Sequence, residues 1–348
     1  MPTTKTLFTL EALPRVGGVS SFLAYALEGA AGIPVELAAP VGSLGATFPL
    51  KATHEQSWPN LLRASLEAQK IKTDILYIAE SAALKAALWS GSWLKRQRLR
   101  LLLHGSEILE LRHSSAFRRA LAQAERIYTL SQAVADLVCG LDKNLSAKIT
   151  LIGAAPAPEL LRHTLPEAHD LHHLITVGRL HPRKGQLELL RLLEQTPALN
   201  NFRYSIVGPA RRGSYAKKLE SMAAQLSPRA SIYGEVSWEN LASLYSNAGI
   251  FVLCARTLRH RIEGFGLALL DAMACGVLPI AYASGGTPEA LGGGEYGILI
   301  KEGDTLALEK TLIRLSQNPD EWHERSQKAK AYARNLSWKT VAQRLFAD

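Results

Sequence analysis

The stretch "GIFVLCARTLRHRIEGFGLALLDAMACGVLPIAY", residues 249–282, reads in order as a strand, a loop, a helix and a second strand. The runs Gly249–Leu253 and Val277–Tyr282 have the length and apolar character of buried strands. Between them, apolar residues from Leu267 to Ala274 recur at helical spacing. A strand, a helix and a strand in this order predict a crossover within a parallel sheet.

The same alternation extends over the whole chain. At 348 residues the chain exceeds the size at which one core usually stops growing, so two domains are expected. The stretch "GAAPAPELLRHTLPEAHDLHH", residues 153–173, is the most linker-like segment. Two sheets of six strands are predicted: Thr6–Leu10, Pro34–Ala39, Ile75–Ala79, Leu99–Leu103, Arg126–Leu130 and Lys148–Ile152, then Leu171–Val177, Arg203–Val207, Ala230–Tyr233, Gly249–Leu253, Val277–Tyr282 and Gly297–Leu299.

Composition excludes several classes of protein. Hydrophobic residues make up 47% of the chain and charged residues 20%, which is typical of a globular α/β protein and not of a disordered one. No uncharged apolar run reaches the roughly 18 residues needed to cross a membrane. Lys5, Glu11 and Arg15 interrupt the first apolar residues, so we expect no secretory signal and a cytosolic protein. The three cysteines are far apart in apolar contexts, which indicates buried thiols.

A basic stretch points to an anionic partner. The net charge is +9 with a pI near 9.5, and nine Lys or Arg against three acids lie between Lys85 and Arg126. Tryptophan beside Lys and Arg suits an anionic lipid surface, and a solvated basic face explains the same residues. Nucleic acid is a third alternative, although no helix-turn-helix spacing, zinc knuckle or ribonucleoprotein motif supports it. The residues of the predicted membrane or acceptor face are Trp89, Trp93, Lys95, Arg96 and Arg98.

Two loops that follow predicted strands carry groups suited to phosphate. Gly17 and Gly18 precede a predicted helix, where backbone N–H groups can approach a phosphate or sugar; a simple tight turn is the alternative. Arg179 and Lys184, with Arg183 as a further candidate, precede the helix that begins near Gly185, an arrangement that suits a pyrophosphate or a solvated basic loop. No dinucleotide fingerprint or P-loop motif is present, which disfavours those two classes.

Three further side chains are candidates by position. His104 follows the strand Leu99–Leu103, where an imidazole can face a ligand or serve the structure alone. Glu263 and Asp271 lie eight residues apart across a helix start, about 12 Å at about 1.5 Å per residue. That distance is comparable to the span of a nucleotide-sugar from its sugar to its ribose. The alternative is an ordinary helix with an acid near its N-terminus.

The signature "EGFGLALLDAMACGVLPIAYASGGTPEAL", residues 263–291, resembles the donor site of retaining GT-B glycosyltransferases of family 4. The resemblance continues in order through "LLLHGSE", "VGRLHPRKGQLELL", "YSIVG", "YGEVSWENLASLYSNAGIFVL" and "LSWKTVAQRL", and is looser in the N-terminal half. It implies an α/β GT-B fold, with two doubly wound Rossmann-like domains facing a central cleft. The acceptor-binding domain would span 1–160 and the donor-binding domain 161–334, with a closing helix near 335–348 packing back on the first.

The resemblance assigns a role to each candidate. Arg179 and Lys184 would bind the donor's diphosphate and stabilise the leaving group, and Glu263 would hold hydroxyls of the transferred sugar. Asp271 would bind the ribose, and His104 would lie near the anomeric centre and position the acceptor or the sugar. The remaining donor-binding residues implied are Gly17, Gly18, Gly208, Val236, Gly264, Phe265, Gly266 and Leu267.

Two positions depart from the family pattern. Asp271 replaces the usual Glu, which withdraws the carboxylate by about 1.5 Å, one C–C bond, so that contact to the ribose through water, a different donor pose or weaker binding would follow. The linker carries "GAAPAP" where Asn-Gly-Val-Asp is common, which puts the local hinge geometry in doubt. No Asp-x-Asp motif occurs, so we expect metal-independent transfer in which cations and helix N–H groups replace the ion.

The sequence therefore predicts a retaining glycosyltransferase with no cofactor. The donor would be a nucleoside-diphosphate hexose or N-acetylhexosamine, with UDP as the nucleotide. The acceptor would be a lipid-linked or lipopolysaccharide/cell-surface saccharide, reached from the cytosolic face of the inner membrane, with peripheral association to anionic lipid. The alternatives are a sugar-nucleotide epimerase, a non-catalytic subunit of a transferase complex and a nucleic-acid-binding protein.

Overall fold

A computed structural model describes residues 3–10, 13, 18–40, 43, 46–50, 65–66, 69–90, 98–163, 169–210 and 213–347. The chain forms two compact units. The first contains Met1–Ala154, Arg259–Gly264 and Ser337–Asp348, and the second Ala155–Leu258 and Phe265–Leu336. The predicted boundary lies at 160/161, whereas the units divide between Ala154 and Ala155. The sequence also assigned 259–264 to the donor domain, but this segment packs within the first unit.

The first unit is built on a parallel sheet. Seven strands of the described residues lie in the order β3-β2-β1-β4-β5-β6-β7. They are β1 Lys5–Phe8, β2 Glu36–Pro40, β3 Ala46–Leu50, β4 Ile75–Ala79, β5 Arg98–Leu103, β6 Arg126–Thr129 and β7 Ile149–Leu151. The sequence predicted six of these and missed β3, a short edge strand whose proline cannot donate to a ladder and so obscures the strand pattern.

Helices flank this sheet. In the first unit they are α1 Gly18–Gly29, α2 Ser81–Ser90, α3 Ser106–Leu111, α4 Ser115–Gln123, α5 Gln132–Cys139 and α14 Trp338–Phe346, with a 3-10 helix at Lys143–Lys148. Helix α14 packs on α1: the Trp338 ring lies 5.2 Å from that of Phe22 and 5.3 Å from that of Tyr25. At the other end of α14, Lys5 Nζ donates to the Phe346 carbonyl at 2.8 Å. The closing helix is therefore part of the first unit's core.

The second unit has a six-stranded parallel sheet in the order β10-β9-β8-β11-β12-β13. The strands are β8 Asp170–Val177, β9 Arg203–Val207, β10 Ala230–Gly234, β11 Ala248–Leu253, β12 Leu278–Ala283 and β13 Ile298–Lys301. All six residues of β11 are buried, as expected for a central strand covered on both faces. Each of the twelve predicted strands is present with its ends within two residues, so the doubly wound α/β class is confirmed.

The helices of the second unit begin at α6 and end at α13. They are α6 Pro158–Arg162, α7 Gln186–Gln195, α8 Ser214–Gln225, α9 Trp238–Asn247, α10 Leu267–Ala274, α11 Thr287–Ala290, α12 Thr305–Gln317 and α13 Pro319–Asn335, with 3-10 helices at Pro182–Lys184, Pro197–Leu199 and Gly292–Gly294. In both sheets the chain proceeds outward in two directions from the central pair, β1 and β4 in one and β8 and β11 in the other. Ligands of doubly wound folds bind beyond the carboxyl ends of such a pair.

Candidate functional site

The loop 178–185 follows β8 at the switch point of the second sheet and carries two of the predicted cations. Gly208, at the end of β9, has φ +138°, and a Cβ there would lie 2.2 Å from the Gly178 carbonyl oxygen. Only glycine permits this approach of the two loops. The Lys184 side chain lies over Gly178, with its Cε 3.5 Å from the position of a Cβ. The ammonium-bearing side chain is therefore held against the backbone at the sheet edge.

Gln186 fixes the backbone of Arg179. It is buried, its Nε2 donates to the Arg179 carbonyl at 3.1 Å, and its Oε1 accepts from Tyr215 Oη at 3.0 Å. Tyr215 Oη in turn accepts the N–H of Leu187 at 3.3 Å. Neither Gln186 nor Tyr215 was predicted from the sequence; the position of Gln186 at the helix start, directly after Lys184 and Gly185, was the available signal.

The loops after β8 and β11 are joined by backbone and side-chain bonds. The N–H of Arg256 donates to the Arg183 carbonyl at 2.8 Å. The Arg256 guanidinium pairs with both carboxylate oxygens of Glu188 at 2.9 Å, and Tyr282 Oη donates to the same carboxylate at 2.5 Å. Bonds of this bidentate form are directional, so the network sets the relative positions of three strand ends.

Helix α10 begins at the predicted glycine-rich start. Phe265 is buried, Gly266 caps the helix with φ +92° and Leu267 is its half-buried first residue. Val236, another predicted donor contact, is half-buried between β10 and α9. The structure therefore places these residues in loops and at a helix start of the second unit, and their contact with a donor stays a prediction.

Asp271 lies in α10 and accepts the N–H of Ala157 through Oδ1 at 2.8 Å. Ala157 is buried between Pro156 and Pro158, so its N–H needs this partner. Burial, aided by the negative charge of Glu159, raises the pKa of Asp271 to about 7, while the Ala157 N–H opposes the shift. The two sequence departures from the family pattern, the shortened acid and the altered linker, thus contact each other.

His104 belongs to the first unit, at the end of β5. Its ring packs edge-on against Phe22 at 5.7 Å, and burial lowers its pKa to about 4. Its Nε2 is buried without a hydrogen-bond partner in the described structure, and its backbone N–H donates to Glu107. The imidazole is therefore neutral near pH 7 and offers one uncommitted ring nitrogen.

The segment 259–264 docks beside His104. A Cβ on Gly264 would lie 2.1 Å from the His104 carbonyl oxygen, and the Ile262 side chain packs against Gly105. Ser131 Oγ donates to the Gly264 carbonyl at 2.7 Å while capping α5. Glu263, buried within this segment, is thereby brought into the same unit as His104. Ser131 was not predicted from the sequence, because nothing local distinguishes it from an ordinary helix cap.

Glu80 lies at the switch point of the first sheet, directly after β4. It is the one described residue other than glycine with positive φ, at +76°. Its carboxylate accepts the N–H groups of Leu10, Ala82 and Ala83 at 3.2, 2.7 and 2.7 Å. A strained backbone held by three such bonds joins the end of β1 to the start of α2.

Gly18, the first residue of α1, is described, and the predicted Gly17 lies outside the described residues.

The predicted basic face is only partly described. Trp89 is 42% exposed on α2, while Trp93, Lys95 and Arg96 lie outside the described residues. Arg98 pairs with Glu125 through Nε at 3.0 and 3.1 Å and through Nη2 at 2.5 Å. Arg100, counted in the basic stretch, is not a surface residue: it is 2% exposed and donates to Tyr77 Oη at 2.7 Å.

The chain is similar to known glycosyltransferases in both its fold and its sequence. The sucrose-phosphate synthase of Thermosynechococcus elongatus superposes with a TM-score of 0.75 at 19% identity, over 97% of this chain and 96% of that chain. Anabaena HepE in complex with UDP and glucose gives 0.73 at 22%, over 98% and 97%. The fold is thus that of the GT-B glycosyltransferases. Residues 159–336 match the family model "Glycosyl transferases group 1", and the chain belongs to that family.

A curated relative extends the comparison at the level of sequence. A GDP-mannose-dependent monoacylated alpha-(1-6)-phosphatidylinositol monomannoside mannosyltransferase of Corynebacterium glutamicum is 31% identical over 172 residues, 48% of this chain and 44% of the relative. The match spans less than two thirds of the length of this relative.

Two features are absent from the described residues. No helix there combines the length and hydropathy required to cross a membrane. No group of three or more His, Cys, Asp and Glu side chains there is arranged to hold a metal ion.

Proposed function

We propose that the chain is a retaining, metal-independent glycosyltransferase that uses a nucleoside-diphosphate sugar. The observation that supports this most directly is the loop 178–185, where Lys184 lies over Gly178 and the Arg179 carbonyl is held by Gln186. An ammonium and a guanidinium ahead of a helix start would bind a diphosphate and stabilise its charge as it leaves.

Each candidate residue has a role in this proposal. Glu263 would hold hydroxyls of the transferred sugar. Asp271 would bind the ribose through Oδ2, because its Oδ1 accepts the N–H of Ala157. Neutral His104, with its uncommitted Nε2, would position the acceptor or the sugar. The β-phosphate oxygen of the donor would accept the proton of the acceptor hydroxyl, since the imidazole is a weak base at a pKa of about 4.

The proposal also specifies the nucleotide and the acceptor. HepE was solved with UDP and glucose, and the corynebacterial relative is named as GDP-mannose-dependent. UDP remains the proposed nucleotide, with GDP the direct competitor. The proposed acceptor is a lipid-linked or cell-surface saccharide, with Trp89 and its basic neighbours against an anionic membrane. Because Arg98 pairs with Glu125, the double variant Lys95→Glu/Arg96→Glu tests this contact: unchanged binding to anionic vesicles would exclude it.

A ligand-induced melting shift tests the donor site. The wild-type protein is melted with UDP, GDP, ADP and their sugars; a ligand at a hundred times its Kd stabilises the folded state by about 2.7 kcal/mol. We expect one nucleotide to give a clear shift that Lys184→Ala and Arg179→Ala abolish. Arg191→Ser, an exposed cation on α7, serves as the matched control. A full shift in the Lys184 or Arg179 variant would refute the phosphate assignment.

Turnover separates the proposed transferase from its alternatives. Release of nucleoside diphosphate that depends on an added saccharide acceptor is the expected result. An epimerase would consume the donor without acceptor, and a non-catalytic subunit would bind the nucleotide but turn over no acceptor.

A further inference from the structure

The turn 258–261 carries three consecutive basic residues, Arg259, His260 and Arg261. Ile262 and Glu263 follow directly. The three basic residues are exposed. In sequence the turn follows β11, but Arg259 to Gly264 pack in the first unit. The roles proposed above for the donor site leave these three side chains unused.

The turn is held at a fixed position. Directly after it, Ile262 is buried against Gly105, and Gly264 lies so close to the His104 carbonyl that a Cβ would be 2.1 Å from the oxygen. Ser131 Oγ holds the Gly264 carbonyl at 2.7 Å. The guanidinium groups of Arg259 and Arg261 are thus presented beside the loop of His104 by a segment with three separate attachments.

The positive charge there is poorly compensated. Arg261 Nη2 lies 3.9 Å from Glu110 Oε1, a long contact, and Glu110 Oε2 already pairs with Lys85 Nζ at 3.2 Å. In the part of the chain that the structure describes, Arg259 and His260 have no ion-pair or hydrogen-bond partner. Glu110 is therefore shared between Lys85 and Arg261, Arg259 has no such partner among the described residues, and the local potential attracts an anion.

We propose that this turn is an anion-recognition element for the acceptor, in which Arg259 and Arg261 bind a phosphate group that the acceptor carries close to its reacting hydroxyl. A guanidinium offers paired donors that match phosphate oxygens. The proposal rests on the proposed transferase function, because it assigns the ligand of the first unit's site as an acceptor. The phosphate belongs either to a soluble sugar phosphate or to a lipid headgroup.

Binding of small probes tests this element separately from the donor site. The Arg179→Ala/Lys184→Ala background removes both cations of the proposed donor phosphate site, so that phosphate probes report on the first unit. Glucose 6-phosphate is titrated against this protein, with methyl glucoside as the neutral probe. We expect the sugar phosphate to bind, the neutral sugar not to bind, and Arg259→Ser/Arg261→Ser to weaken phosphate binding at least fivefold. Arg191→Ser/Lys310→Ser, which removes two exposed cations of α7 and α12, leaves it unchanged.

A vesicle experiment identifies the source of the phosphate. The same variants are sedimented with phosphatidylglycerol/phosphatidylcholine vesicles at low and high salt. Loss of vesicle binding in the Arg259/Arg261 variant assigns the headgroup as the source, and loss of glucose 6-phosphate binding alone assigns a soluble phosphate. If the double variant binds both probes as the parent does, the proposal is overturned. A missing nucleotide shift in the wild-type protein would instead refute the proposed function, independently of these titrations.

Discussion

The candidate groups of the two units are assembled in different ways. In the second unit, Arg179, Lys184 and Gln186 come from eight consecutive residues after one strand, and their loop is held by direct neighbours in the sheet. In the first unit, His104 contacts Gly264, which is held by a hydrogen bond from Ser131 although the two residues are 133 positions apart in sequence. A loop of neighbouring residues can be recognised from a sequence motif, whereas the surroundings of His104 form only once distant segments have packed.

Gly264→Ala should cause the largest loss of transfer activity, because the packed segment 259–264 leaves no room for a side chain at this position. Its Cβ would lie 2.1 Å from the His104 carbonyl oxygen, and overpacking of this kind costs about 1–3 kcal/mol. We expect a loss of transfer of at least tenfold, while the nucleotide-induced melting shift persists. Gly140→Ala is the control, since its φ is −65° and the nearest atom to its Cβ is 3.3 Å away. Equal activity in the two variants would show that the docking of 259–264 is dispensable.

Asp271→Asn tests the second unit's candidate site through the pH dependence of folding stability. The folded pKa of Asp271 is about 7 against an ordinary 3.8, so the folded state binds the proton more tightly and wild-type stability falls as pH rises between these values. Asn keeps an oxygen for the Ala157 N–H but does not ionise. We expect the variant to be more stable than wild type at pH 8, by at most about 4 kcal/mol at about 1.4 kcal/mol per pKa unit, with the difference disappearing near pH 4.

The same substitution should weaken nucleotide binding if the carboxylate contacts the ribose, so that stability and function change in opposite directions. Asp136→Asn, at an exposed carboxylate on α5, is the control and should leave nucleotide binding unaltered. Parallel wild-type and Asp271→Asn stability curves from pH 4 to pH 8 would show that burial does not govern this carboxyl group.

Ser131→Ala should have the smallest effect. Ser131 caps α5 and also donates to the Gly264 carbonyl at 2.7 Å, whereas Ser114 caps α4 through Phe117 without such a distant bond. Loss of a serine cap costs about 1 kcal/mol, and the additional hydrogen bond about 1 kcal/mol more. Chemical denaturation of Ser131→Ala and Ser114→Ala measures the difference, and identical free energies of unfolding would remove Ser131 from the docking of 259–264.

The sequence was informative where physical causes are local. Strand β9, Arg203–Val207, and strand β4, Ile75–Ala79, were predicted with their observed bounds, because buried parallel strands are short apolar runs between loops. The positions of Arg179 and Lys184 at a strand end followed from the same alternation. The edge strand β3 lacks that pattern, and its proline counts against a strand in a local reading.

The first unit's candidate site could not be predicted in this way. The packing of Gly264 on His104 depends on contacts that no local pattern encodes. The strained Glu80 gives no sign in sequence, because a Glu after an apolar strand is usually an ordinary surface residue or helix cap. The bond between Asp271 and Ala157 joins two deviations that were noted separately. The contact between these two positions is established only in the folded chain, because they lie far apart in sequence.

The position of α14 has a consequence for the synthesis of the chain. The second unit has all its residues once Leu336 has been added, whereas the first unit still lacks Trp338, which packs on Phe22 and Tyr25, and the Phe346 carbonyl that receives Lys5. A domain generally folds as a unit, and N-terminal domains usually fold first during translation. Here the order of completion is reversed. The first unit leaves the ribosome first, but the residues of its core are complete only after α14 has been added.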